Sequence, residues 1–113
     1  LLKEVVHVST ARFEALAASL PSLVAKQAPL RAWDASRFLA WLCTTPLSHG
    51  ELLAARFLLG VWNASTDWVA EARNDGLSNP EAARRFDVLE AAGVWDAAHL
   101  AVLRAWLEHP FFP

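Results

Sequence analysis

Histidine and acidic side chains are the residues of this sequence whose types could hold a metal ion or act as a general base. The chain has four histidines. Asp96 and His99 are three positions apart and would share one face of a helix, as would Glu4 and His7 if residues 1–8 were helical. A zinc site needs three or four converging ligands, and no two histidines are four positions apart. We therefore expect no metal ion and no other cofactor, and we interpret Asp96 as a helix N-cap.

Nucleophilic catalysis finds equally little support in the sequence. Cys43 lies within an apolar stretch, where a free cysteine behaves as a small hydrophobic residue. The chain has no Gly-x-Ser-x-Gly motif, and its four glycines are too scattered to form a loop that could hold a phosphate group. The sequence therefore predicts no catalytic residues and favours a non-catalytic role.

A helix-turn-helix DNA-binding protein is one alternative, because two short helices are predicted on either side of Gly93. The second of them, from Ala97, would have to read the bases, and its polar residues are only His99, Arg104 and Glu108. Reading bases and binding phosphates requires several basic or amide side chains on one face. The predicted recognition helix lacks such a face.

The distribution of charge also argues against nucleic acid. Residues 61–113 contain four basic and eight acidic side chains, a balance that repels phosphate. Arg84 and Arg85 form the one basic pair, and Glu81 precedes them at helical spacing, so we expect Glu81 to pair with them. We therefore expect no nucleic-acid partner.

Composition defines the class of protein. Of the 113 residues, 55% are hydrophobic, the formal net charge is −2, and there is one cysteine. These values exclude an intrinsically disordered chain and a disulfide framework. The abundance of Ala and Arg, together with the absence of Ile, Met and Tyr, is typical of a bacterium with GC-rich DNA.

The sequence lacks both a secretory signal and a membrane span, and these two features decide the expected location. No N-terminal stretch combines a basic start, an apolar run and a small-residue cleavage site, so we expect a cytoplasmic protein. The longest uncharged run, residues 38–50, contains Pro46 and His49 and is too short for a membrane span, which needs about 20 mostly apolar residues. We expect no contact with a membrane.

Residues typical of the ends of helices give the strongest structural signal in the sequence. Asp34 is a predicted N-cap for a helix that ends near Thr44. Ser48 and Glu51 have the spacing of a capping box for a helix from His49 to about Trp62. Both helices are apolar on most sides and are therefore expected to lie at the centre of the fold.

Four more helices are predicted from similar signals. A short helix is expected over residues 66–74, and the residues Asn79, Pro80 and Glu81 predict a second one that runs to Gly93. The last runs from Ala97 to Glu108, capped by Asp96, and residues 10–19 form another.

The N-terminal third is the least defined part of the pattern. Residues 22–27 suggest a further short helix, and residues 1–8 are either an extended arm or an extra helical turn. Together these segments predict an all-α, single-domain bundle of five or six short helices over residues 1–113. We expect it to be built from antiparallel helix hairpins, with residues 35–62 at its centre.

Aromatic residues are the remaining feature that bears on function. The six tryptophans are far more than a chain of this length usually has. We expect Trp41, Trp62 and Trp106 to fill the core. The candidate interaction surface consists of aromatic residues near predicted helix starts, in loops or in the C-terminal tail: Trp33, Trp68, Trp95, Phe111 and Phe112.

The sequence thus favours a small helical module that binds another protein or a second copy of itself. An alternative is a binder of apolar small molecules, in which Trp41, Phe57 and Trp62 would line a cavity between the helices. DNA binding through a helix-turn-helix is the third and weakest alternative.

Overall fold

The architecture is entirely helical in the part of the chain that can be described. The structure is a computed structural model, and it describes the backbone of residues 2–113 and the side chains from Thr10 onward. It contains seven α-helices, one or two more than the sequence predicted, and a short 3-10 helix. In chain order these are α1 (Leu2–Ala18), α2 (Pro21–Ala25), α3 (Ala35–Thr44), α4 (His49–Trp62), α5 (Trp68–Asn74), the 3-10 helix (Pro80–Ala83), α6 (Val88–Val94) and α7 (Ala97–Glu108).

Three helices with a side-chain cap, α3, α4 and α7, begin where the sequence predicted. The Asp34 carboxylate accepts a hydrogen bond of 3.1 Å from the Arg37 backbone N–H at the start of α3. The capping box of α4 is complete, because the Glu51 N–H donates to the Ser48 hydroxyl and the Ser48 N–H donates to the Glu51 carboxylate. These caps use local bonds, so the sequence alone can specify them.

The predicted helix from Pro80 to Gly93 is wrong. Asn79 makes no side-chain cap, the 3-10 helix ends at Ala83, and Arg84 is extended. A second helix then begins, because the Asp87 carboxylate accepts hydrogen bonds from the backbone N–H groups of Leu89 and Glu90 at 2.8 and 3.2 Å. Leu89, at the start of this second helix, is 81% exposed.

Two other segments are close to what the sequence predicted. The helix expected over residues 66–74 starts at Trp68, with Asp67 as its cap. It stops before Gly76, whose φ of 70° lies in the left-handed region that favours glycine. Of the two alternatives for residues 1–8, the described backbone from residue 2 adopts the helical one.

Helix α4 is the centre of the molecule. It packs against α2, α3, α6 and the 3-10 helix, and every residue from Leu53 to Leu59 is buried. The prediction that α4 is central is therefore confirmed. The two predicted helices near Gly93, α6 and α7, form a less developed hairpin, since α6 packs more extensively on α4 than on α7.

The aromatic residues form two clusters. In the first, ring centroids lie 4.6–5.6 Å apart, and its members are Phe13, Trp33, Phe38, Trp41 and Trp62. In the second, the distances are 5.3–6.1 Å, and its members are Phe57, Phe86, Trp95, Trp106 and Phe112. Trp41, Trp62 and Trp106 are partly buried against the core, so large rings supply much of the volume that Ile and Met provide in other proteins.

Among the described residues, none of the helices has the length and apolar character needed to cross a membrane.

Leu58 and Leu89 offer a matched test of this packing. Leu58 in α4 is fully buried, whereas Leu89 in α6 is largely exposed. We expect Leu58→Ala to lower the free energy of unfolding by about 2–5 kcal/mol, because it removes buried methyl groups and leaves a cavity. Leu89→Ala should change it by less than about 0.5 kcal/mol. Urea unfolding followed by circular dichroism measures both, and equal losses would show that α4 is not the buried centre.

Candidate functional site

A cavity of about 560 Å³ lies beside the C-terminal half of α4. Its other walls come from the start of α5, the segment between the 3-10 helix and α6, helix α7 and the C-terminal tail. The lining residues are Arg56, Phe57, Leu59, Gly60, Val61, Asn63, Ala64, Thr66, Asp67, Trp68, Val69, Ala83, Arg84, Arg85, Phe86, Val88, Leu103, Trp106, Leu107 and Phe112. The volume falls in the range of pockets that bind small molecules.

Aromatic rings give the cavity its apolar wall. Phe57, Phe86, Trp106 and Phe112 come from the second aromatic cluster, and Trp68 is added from α5. Both indole N–H groups are already used: Trp68 donates to the Leu59 carbonyl at 3.2 Å, and Trp106 donates to the Phe111 carbonyl at 3.2 Å. These rings therefore offer the cavity apolar faces rather than hydrogen-bond donors.

Charged residues in the wall are mostly basic, namely Arg56, Arg84 and Arg85 against Asp67. Asp67 already accepts a hydrogen bond from the Ala70 N–H as the cap of α5. The sequence suggested that Glu81 pairs with Arg84 and Arg85, and this is wrong. The 3-10 helix that contains Glu81 ends at Ala83 and Arg84 is extended, so the α-helical spacing is lost and Glu81 pairs with Arg73 instead.

The two neighbouring arginines find other partners. Arg84 lies 3.2 Å from the Glu90 carboxylate, which also bonds to His49 at 2.7 Å. Arg85 donates to the Ala64 carbonyl at 3.2 Å. Both arginines are therefore bonded within the chain.

Arg56 is the unusual charged residue of the cavity. It comes from the middle of α4, it is only 5% exposed, and its Nε donates to the Ala82 carbonyl at 2.8 Å. Its Nη1 is buried without a hydrogen-bond partner among the described residues. Burial and the like charge of Arg84 lower the pKa of Arg56, while Glu90 opposes that shift. An arginine nonetheless stays protonated, so the wall holds a buried, incompletely satisfied cation.

The C-terminal tail folds back onto the helices. The Arg12 guanidinium lies 4.1 Å from the centre of the Phe111 ring and donates a hydrogen bond to the His109 carbonyl. Phe112 packs edge-on against Trp106 at 5.5 Å but remains 64% exposed. The tail thus places one exposed ring at the edge of the cavity.

The other members of the predicted interaction surface have different surroundings. Trp33 is half-buried in the first aromatic cluster, and Trp68 is half-buried in the cavity wall. Trp95, named with them from the sequence, is buried: the residue is only 7% exposed, and its Nε1 donates to the Gly50 carbonyl at 3.0 Å. Of the residues expected to line an apolar cavity, Phe57 does so, whereas Trp41 and Trp62 belong to the first cluster.

A second polar arrangement links α2 to α7. His99 is buried, its Nδ1 lies 2.7 Å from the Asp96 carboxylate, and its Nε2 lies 2.8 Å from the Ser22 hydroxyl. The Ser22 backbone N–H also donates to Nε2 at 3.3 Å. A backbone N–H can only donate, so Nε2 is the acceptor and Nδ1 carries the hydrogen of the neutral ring. The order Ser, His, Asp is that of a catalytic triad.

Two observations favour a structural role for this arrangement. The Ser22 N–H, a group that could bind an oxyanion, is occupied by His99, and none of the three residues lines the cavity. We therefore call Ser22, His99 and Asp96 the interhelical clamp. Sequence reasoning recognised the Asp96 and His99 spacing but could not pair His99 with Ser22, 77 positions away.

Metal binding and thiol chemistry have no site among the described side chains. No group of three or more His, Cys, Asp or Glu residues in residues 10–113 is placed to hold a metal ion. The Glu4 and His7 pair lies outside the described side chains. Cys43 is buried, and this burial raises the pKa of its thiol, which keeps it protonated and unreactive.

The clamp predicts a specific dependence of stability on pH. The pKa of Asp96 is lowered because its carboxylate accepts hydrogen bonds from the backbone N–H and then from the imidazole of His99. The unfolded chain, with a carboxyl pKa of about 3.9, takes up this proton first, so the stabilisation is present above about pH 4 and is lost as pH falls through the folded pKa.

We therefore expect Asp96→Asn, which keeps a capping oxygen, to lose less stability on acidification below about pH 4 than the wild type does. Asp75→Asn removes an exposed acid outside the clamp and serves as the control. Urea unfolding at a series of pH values gives the curves, and parallel curves for the wild type and Asp96→Asn would contradict this account of the clamp.

Comparison of the chain with models of protein families, with curated proteins and with solved structures finds no match. The cavity and the buried guanidinium in its wall are the features of the described residues that bear most directly on function.

Proposed function

We propose that this protein is a non-catalytic binding protein that holds a small apolar molecule in the cavity beside α4. The observation that carries the proposal is the cavity itself, about 560 Å³ in volume and walled by five aromatic residues. Pockets of this size and character bind small molecules mainly by removing apolar surface from water.

The exposure of the rim supports the same conclusion. Val88, Leu107 and Phe112 line the cavity, and each of them is half or more exposed. A ligand that covered these side chains would gain roughly 25 cal/mol for each Å² of apolar surface removed from water. The cavity is therefore suited to an occupant with an apolar body.

Gly60 provides a direct test, because it lines the cavity and a Cβ added there meets no atom within 4 Å. We expect Gly60→Leu to fill the cavity and weaken binding of a neutral fluorescent probe, N-phenyl-1-naphthylamine, at least tenfold. Replacing a glycine in the interior of a helix should also stabilise α4 by up to about 1 kcal/mol, so the variant should fold.

Gly93 in α6 is the matched control. A Cβ added there also meets no atom within 4 Å, and Gly93 does not line the cavity. Gly93→Leu should bind the probe as the wild type does. Equal affinity in Gly60→Leu and Gly93→Leu, or no binding by the wild type, would contradict the proposed cavity function.

A second candidate is the self-association expected from the sequence, and one observation favours it. Phe112 and Leu107 both line the cavity and are both more than half exposed, so the same face of a second copy could cover them.

Light scattering after size exclusion tests this candidate. We expect the full chain to have the mass of a dimer at micromolar concentration, and a chain truncated before Pro110 to be monomeric because it lacks Phe112. A full chain that is already a monomer, or a dimer that survives truncation, would argue against association through this face.

A further inference from the structure

The wall of the cavity contains a cation that the protein itself leaves incompletely bonded. Arg56 is 5% exposed, and its Nε is the atom with a partner, the Ala82 carbonyl at 2.8 Å. Its Nη1 is also buried and has no acceptor within hydrogen-bonding distance among the described residues. A charged group buried with so few acceptors is costly. Arg56 also lines the cavity, so a ligand that placed an acceptor against the part of its guanidinium that the cavity reaches would be favoured.

The surrounding charges favour an acceptor that is also negative. Glu90 is the acid that stabilises the charged form of Arg56, but its carboxylate is already bonded to Arg84 and His49. Asp67, the acid in the wall, is bonded to the start of α5. Arg56 therefore lacks a carboxylate of its own. With Arg84 paired to Glu90, Arg56 and Arg85 still outnumber Asp67 in the wall, which leaves a positive balance there.

We infer that the ligand is an apolar carboxylic acid, whose carboxylate accepts a hydrogen bond from the Arg56 guanidinium while its apolar body lies against Phe57 and Trp106. This inference rests on the proposed cavity function and names its ligand class. A carboxylate is both an acceptor for a guanidinium that is bonded, among the described residues, only through its Nε and a counter-ion for the wall, and a charge-assisted bond in an apolar site is stronger than a neutral one.

Ligands of equal length test the inference on the unmodified protein. Decanoate, decanol and methyl decanoate share the same apolar chain, and each is titrated against bound N-phenyl-1-naphthylamine at pH 7. We expect decanoate to displace the probe at a concentration at least tenfold lower than decanol or the ester. Equal affinity for the three would overturn the carboxylate assignment and leave the cavity function intact, whereas failure of all three and of the probe would overturn the cavity function.

Variants then identify the residue responsible. We expect Arg56→Gln, which keeps a donor on a shorter side chain, to remove the preference for decanoate over decanol while decanol still binds within about threefold of the wild type. Arg104→Gln removes an exposed arginine of α7 that does not line the cavity, and it should keep the full preference.

Circular dichroism establishes whether both variants are folded. If Arg56→Gln keeps the tenfold preference, the assignment to Arg56 is wrong. If that variant does not fold, the comparison of the three ligands on the wild type still decides for or against the carboxylate.

Discussion

The placement of one guanidinium inside an apolar helix is the constraint on which much of this structure depends. Arg56 lies in the middle of the buried run of α4, where a charged group must find its hydrogen bonds within the protein. Its Nε donates a hydrogen bond to the Ala82 carbonyl, and this bond connects the 3-10 helix to α4. The chain leaves that helix at Ala83 in an extended conformation and begins α6 only at Val88. A continuous helix from Pro80 is thereby replaced by a bent segment that forms one wall of the cavity.

Aromatic residues divide the interior into two parts with different roles. The cluster around Phe13 and Trp33 is packed between α1, α3 and α4, and it fills the core. The cluster around Phe57 and Trp106 is open on one side and walls the cavity. Met, the flexible residue that fills irregular gaps in other cores, is absent from this chain, as is Ile. Core and cavity wall are therefore built from the same aromatic residue types.

Local signals predicted the helices well, and long-range contacts account for what was missed. Asp34, Ser48 with Glu51, and Asp96 each cap a helix through bonds to residues within three positions, and these helices begin where expected. The segment after Pro80 carries strong helix signals too, but the bond from Arg56 and the cap at Asp87 act against a continuous helix. Tertiary contacts of this kind override local propensity.

The site was less predictable than the fold. Phe57 was identified as a possible wall residue, but the choice between Trp41, Trp62 and Trp106 depends on which side of α4 each ring packs, and composition does not specify this. Arg56 was not singled out from the sequence, although it is the only arginine or lysine in the predicted apolar helix from His49 to Trp62, and a charged residue is seldom buried without a partner. Its partner lies 26 positions away, and the link between Ser22 and His99 spans 77, so neither contact follows from spacing.

A crystal structure of the protein grown with decanoate would locate both ends of the bound ligand. We expect the ten-carbon chain in the cavity against Phe57 and Trp106, with a carboxylate oxygen about 3 Å from a guanidinium nitrogen of Arg56. A decanoate whose carboxylate faces solvent, away from Arg56, would contradict the assignment.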